Sequence, residues 1–154
     1  LYTAQLDVTV VFVGKPTLYS AELLKFITEN KMENRVKFLN NISRKNLAGL
    51  YQRAILSVYI SLFEGFGLPV IESMASGCPV ITSNVSCLPE TAGDAAVLCD
   101  PENIAELGGC IKKLMEDNNF RNEMIQKGFK RAKQFHPEKY SQNLISLYSE
   151  ILSK

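Results

Sequence analysis

Two glutamates bracket a glycine loop in SLFEGFGLPVIES, residues 61–73. Glu64 precedes Gly65 and Gly67, Glu72 follows them, and Pro69 sits just inside what reads as a helix start. A helix start offers unpaired backbone N–H groups and a partial positive charge. Glycines let a ligand approach the backbone with no Cβ in the way, and Pro69 has no N–H to lose there. Together these features favour a phosphate or diphosphate against the amides of Phe66, Gly67 and Leu68. The pattern is neither the dinucleotide fingerprint GxGxxG nor the GxxxxGK(S/T) loop.

The carboxylates narrow the chemistry. They repel phosphate, but both accept hydrogen bonds from hydroxyls. Glu72, in the second helical turn, is placed to reach a ribose diol, as the acidic residue of a dinucleotide fold does. Glu64, across the phosphate position, would face whatever the diphosphate carries. A diphosphate between a ribose and a second polyol is a nucleotide sugar. A purely structural account stays open, because a glutamate near a helix N-terminus gains about 0.3 kcal/mol from the dipole alone. A glycosidase acid pair fits poorly: the glycines favour phosphate and nothing else suggests an open sugar cleft.

The flanking pattern supplies the elements that position this loop. VTVVFV (8–13) is a β-branched and aromatic run, the signature of a strand buried on both faces of a parallel sheet. The start, LYTAQLDVTV, reads as a helix end followed by that strand. A helix over about 18–30 carries Leu23, Leu24, Phe26 and Ile27, and VKFL (36–39) is a second strand. Ser43 is a candidate N-cap for a helix through Arg53. ILSVYIS (55–61) is a third buried strand, followed by the glycine loop and a helix over about 67–76 that Gly77 closes. PVIT (79–82) is a fourth strand, residues 84–94 a turn-rich loop, AAVLC (95–99) a short strand, and Asp100-Pro101 a helix start. Helices alone follow, with core-facing stripes at Ile104, Leu107, Ile111 and Leu114, then Phe120, Met124 and Phe129, then Tyr140, Leu144, Leu147, Tyr148 and Ile151. Strands alternating with helices predict an α/β, Rossmann-like parallel sheet flanked by helices, with a helical C-terminal part. Ligands in such sheets bind at the carboxyl ends of the strands, which is where the glycine loop falls.

Composition excludes several classes. The 154 residues allow one domain, 1–154, with a core that needs no staples. The net charge is +1 from 17 basic and 16 acidic residues, which leaves no electrostatic footprint for nucleic acid or an anionic membrane. No apolar run approaches 18 residues, so no membrane insertion is expected. The four cysteines form no CxxC, which argues against a zinc or redox site and for buried free thiols in a reducing cytoplasm. His136, the sole histidine, reads as a helix-terminal residue. Asn84 and Ser86 fit sugar contact or turn formation equally, Ser61 fits contact with either the backbone or the ligand, and Glu90 fits a cap.

EGFGLPVIESMASGCPVITSNVSCLPETAGDAAVLCDP (64–101) closely resembles the C-terminal half of retaining glycosyltransferases of the two-domain GT-B type, family four, also called glycosyl transferases group 1. The E-x7-E pair, GFG, the Met-Ala-Ser-Gly helix end, the Pro-Val strand and Pro-Glu before Gly-Asp carry the match. VFVG (11–14) and RVKFLNNIS (35–43) extend it over most of the chain.

The resemblance implies roles by position. Glu64 would contact the donor sugar's hydroxyls as the catalytic carboxylate. The amides of Phe66, Gly67 and Leu68 would hold the donor sugar and diphosphate, and Glu72 the ribose. The main chain near Ile42 would read the base, and Gly14 and Lys15 would sit close to the phosphates. The implied reaction moves a hexose from a nucleotide diphosphate sugar to an acceptor hydroxyl with retention, without a metal or other cofactor. The setting it implies is cytoplasmic, in polysaccharide biosynthesis, with the full enzyme peripheral at the inner membrane face. Members also have an N-terminal acceptor-binding domain and a basic pair on the first βα unit of the donor domain. Neither has a counterpart in 1–154, where Lys15 is the nearest basic substitute. The expectation is an excised domain, inactive alone. A nucleotide-sugar binding module without chemistry, an epimerase and a sugar phosphorylase are the alternatives.

Overall fold

Runs of β-branched and aromatic residues form the strands, and amphipathic stretches form the helices between them. The computed structural model describes residues 8–15, 17 and 19–153. Residues 1–7, read above as a helix end, and Leu18, the expected helix start, lie outside these. The order is β1 (Val10–Val13), α1 (Ser20–Glu29), a 3-10 turn (Glu33–Arg35), β2 (Val36–Leu39), α2 (Arg44–Arg53), β3 (Ser57–Tyr59), α3 (Leu68–Ala75), β4 (Val80–Ser83), α4 (Leu88–Ala92), β5 (Val97–Cys99), α5 (Ile104–Glu116), α6 (Asn118–Ala132), a 3-10 turn (Lys133–Phe135) and α7 (Pro137–Leu152). All strand pairs are parallel, but they form two sheets, β1-β2 and β3-β4-β5, where one was expected. The chain divides into two units, residues 1–47 and 48–154.

In the first unit Phe12 stacks on Phe38, with centroids 5.3 Å apart, across the β1-β2 pair. The expectation that β1 is buried on both faces fails: Val11, Phe12 and Val13 are 39%, 41% and 46% exposed. A two-stranded ribbon offers only one pairing edge and little surface to cover a face, and Ile27 is the one described residue of this unit in the core. Ser43 caps α2 as predicted, its Oγ accepting from Asn46 N–H at 3.2 Å.

In the second unit β4 is the central strand, and all four of its residues are buried. Strand side chains alternate between faces, and β4 uses both. Val80 packs with Val70, Met74, Leu88, Ala92 and Ala95, and Ile81 with Cys99, Leu114 and Met124. Helices α3 and α4 thus cover one face, while α5 and α6 line the other. The third strand is less covered than predicted, with Val58 44% exposed at the outer position of the sheet. Further expectations are corrected, the first being Ile104, which was expected on a core-facing stripe and is 85% exposed at the first position of α5. The 84–94 loop contains α4, a helix too short to show periodicity. Helix α5 starts at Ile104 with Asn103 as its cap, its Oδ1 accepting from Glu106 N–H at 3.0 Å, while Asp100 Oδ1 is spent on Glu102 N–H at 2.9 Å. The last stripe is not core: Leu147, Tyr148 and Ile151 on α7 are 50%, 56% and 59% exposed.

All four thiols are free, with Cys78 and Cys99 buried. Burial, then Cys110 and the nearby acids, pushes the Cys99 thiol up to about 11. An unfolded Cys99 ionises near its ordinary value of 9. Its contribution to stability is therefore complete below pH 9 and lost as pH rises through 11, on the order of 2 kcal/mol. Urea midpoints should fall between pH 9 and 11 and fall less in Cys99→Ala. Equal falls in the two proteins would remove Cys99 as the cause.

Candidate functional site

The loop between β3 and α3 is built by one glycine and held by distant side chains. Gly67, at φ 84° and ψ 46°, turns the chain into α3 and is itself buried. A Cβ there would lie 2.6 Å from Leu88 Cδ2. Val70 N–H closes the first turn on Gly67 C=O at 2.9 Å, and Pro69 brings no N–H. The opening amides of α3 are the ones a helix leaves without intrahelical partners. Gly65 differs: it is exposed, and a Cβ there would meet nothing within 4 Å. The protein's own packing does not require a glycine at 65, and the space that a side chain would fill there is open.

Glu64 is gripped at three points. Its side chain accepts from Tyr59 O–H through Oε1. Its N–H donates to Ser86 Oγ at 3.2 Å, and Ser86 O–H returns a bond to Glu64 C=O at 2.9 Å. Cys87 S–H also donates to that carbonyl, at 3.1 Å. Burial, followed by the bond to Glu64, pushes the Tyr59 phenol up to about 12. Thr91 O–H donates to Phe66 C=O at 2.5 Å. Arg131 on α6 donates to the carbonyls of Glu90 and Thr91, holding α4 in place. Its guanidinium carbon lies 5.0 Å from the centroid of the Phe135 ring, which meets Phe66 edge to face at 5.5 Å.

Glu72 is exposed on α3. It lies within electrostatic range of Tyr51 on α2, whose phenol burial, then Glu72 and Cys78, push up to about 12. Behind it, Ser73 O–H donates to Cys78 C=O at 3.0 Å. Ser57 must therefore be the donor in its 2.6 Å contact with Ser73. That bond ties α3 to β3.

The second unit thus brings together Glu64, Phe66, Gly67, Leu68 and Glu72 on one strand–loop–helix, at the carboxyl end of β3. The first unit places Gly14 and exposed Lys15 just after β1, with Gly14 N–H bonded to Leu39 C=O at 3.0 Å, and Ile42 just after β2. All three fall at the carboxyl edge of the two-stranded sheet. Tyr59, Cys87, Thr91 and Arg131 were not anticipated. Among the described residues, no group of three or more His, Cys, Asp or Glu could hold a metal, and no helix is long and apolar enough to cross a membrane.

The family profile described as "Glycosyl transferases group 1" matches residues 2–131. "O-antigen chain mannosyltransferase B" of Escherichia coli is 34% identical over 126 residues, covering 82% of this chain and 33% of that protein. "Poly(glycerol-phosphate) alpha-glucosyltransferase" of Bacillus subtilis is 31% identical, covering 79% and 18%. The chain spans about a third, or less, of the length of these relatives. Among solved structures, Anabaena Alr3699/HepE in complex with UDP and glucose matches at TM-score 0.85 and 26% identity, over 97% of this chain and 43% of that one. The C-terminal domain of a glycosyl transferase group 1 family protein (LpcC) from Francisella tularensis matches at TM-score 0.70 and 27% identity, over 84% and 70%.

Proposed function

The chain belongs to glycosyl transferases group 1, and from that premise we propose that it is the donor-binding domain of a hexosyltransferase. It holds a nucleotide diphosphate sugar whose hexose passes to an acceptor hydroxyl with retention of configuration. The observation that carries this reading is the open space at Gly65, set between two carboxylates at the mouth of a helix. Glu64 and Glu72 accept from hydroxyls on opposite sides of an anion, the donor sugar's and the ribose's respectively. The amides of Phe66, Gly67 and Leu68 meet the diphosphate, where the helix dipole favours the charge that grows as it leaves. No metal is assigned a part in this scheme. The acceptor is bound outside this chain. The mannosyl- and glucosyltransferase relatives support a role in assembling polysaccharide or polymer-linked sugar.

Calorimetric titration with UDP, GDP, UDP-glucose and GDP-mannose tests this. One base should bind saturably, and Glu72→Ala should weaken it about tenfold, the cost of losing hydrogen bonds to a charged group. A failure of all four to bind, or an unchanged affinity in the variant, refutes the assignment.

A further inference from the structure

We propose that Tyr59 is a positioning residue for Glu64, fixing its carboxylate so that the second oxygen, Oε2, faces the sugar of the donor. This rests on the donor-binding reading above and adds to it the device that aims the carboxylate.

A glutamate side chain in a loop has several rotamers to choose among, and a site carboxylate must be held in one. Here Oε1 is occupied by the Tyr59 hydroxyl. The backbone of the same residue is fixed independently: Ser86 engages both its N–H and its C=O, and Cys87 adds a second bond to the carbonyl. With both the peptide and one carboxylate oxygen immobilised, the orientation of Oε2 follows. Ser86 provides this clamp from φ 60°, a left-handed conformation that a serine adopts at a cost. Tyr59 itself is anchored at the other end. Its ring packs against the Val70–Met74–Leu88 cluster, and its carbonyl accepts from Thr82 O–H at 2.8 Å. The phenol therefore reaches Glu64 from a rigid strand, and β3 transmits the geometry of the sheet to the loop. Because the phenol titrates far above neutrality, it stays a donor throughout the working pH range.

Tyr59→Phe removes only the hydroxyl and keeps the packed ring, so the fold is retained. The test is a ratio: the Kd of UDP-glucose over that of UDP, or of GDP-mannose over GDP, whichever base the chain binds. Glu64 meets the sugar and not the nucleotide, so Tyr59→Phe should raise this ratio about tenfold and leave the nucleoside diphosphate within twofold. Glu64→Gln should raise the ratio as well. The double variant should resemble Glu64→Gln, because the two residues act as one unit. A structural role alone would weaken both ligands equally and leave the ratio fixed. That outcome overturns the positioning role while leaving the donor reading intact. Additive effects in the double variant also overturn it. Loss of all binding by the unmodified chain overturns the donor reading and the sugar-facing role with it.

Discussion

Replacing Gly67 with alanine should destabilise the second unit by roughly 3 kcal/mol and lower its melting temperature by about 6–12 °C. Two costs combine. At φ 84° an alanine is held in the left-handed region, a penalty of about 1–2 kcal/mol. Its methyl group would also sit 2.6 Å from Leu88 Cδ2. Leu88 is 0% exposed, packed with Val70, Met74 and Ala92, and has no solvent side toward which to rotate. Gly77, at φ 78°, carries a similar backbone strain, but a Cβ there meets the Phe129 ring, which is 39% exposed and free to swing outward. The same substitution should therefore cost less at 77 than at 67. Urea denaturation of both variants measures this. A Gly67→Ala protein within 1 kcal/mol of the parent would show that the turn relaxes.

Met74→Ala is expected to cost about 3 kcal/mol, the usual loss for emptying a large core position that cannot collapse. Met74 is 1% exposed and sits where α3 meets α6. Gly128 makes that approach possible: a Cβ on it would lie 3.3 Å from Met74 Cγ and 3.5 Å from Met74 Cα. With the helices already this close, little room is left for them to close over the void. The damage reaches the site because Met74 is two residues from Glu72 on the helix that opens at Gly67. Ile104→Ala is the control, since Ile104 is 85% exposed at the start of α5 and should shift stability by less than about 0.5 kcal/mol. Equal midpoints for Met74→Ala and this control would refute the packing account.

Local signals in the chain were legible where one residue type decides the geometry. Ser43 and Gly77 each do so, and β4 is buried along its whole length. Signals failed where two local candidates competed or where the answer was non-local. Asp100 and Asn103 are both good caps three residues apart, and the tight turn at Pro101 consumes the first. A tyrosine in a strand reads as an apolar residue, so nothing along the sequence links Tyr59 to Glu64. Ser86, 22 residues from Glu64, reads as a turn serine until the fold shows what its hydroxyl grips. Periodicity also marks which residues are apolar without saying what covers them. That is why β1 and α7 were assigned to a core that the described residues do not provide.

Arg131 bonds to Thr91 across 40 residues of sequence. A ribosome delivers those residues in about 2–8 s at ordinary elongation rates. Through that interval the glycine loop and α4 exist without the guanidinium and the Phe135 ring that secure them, which are not yet made. The ligand edge of this unit is thus locked by a helix made well after it, and a nascent chain acquires its binding geometry only once α6 has followed that edge out of the ribosome.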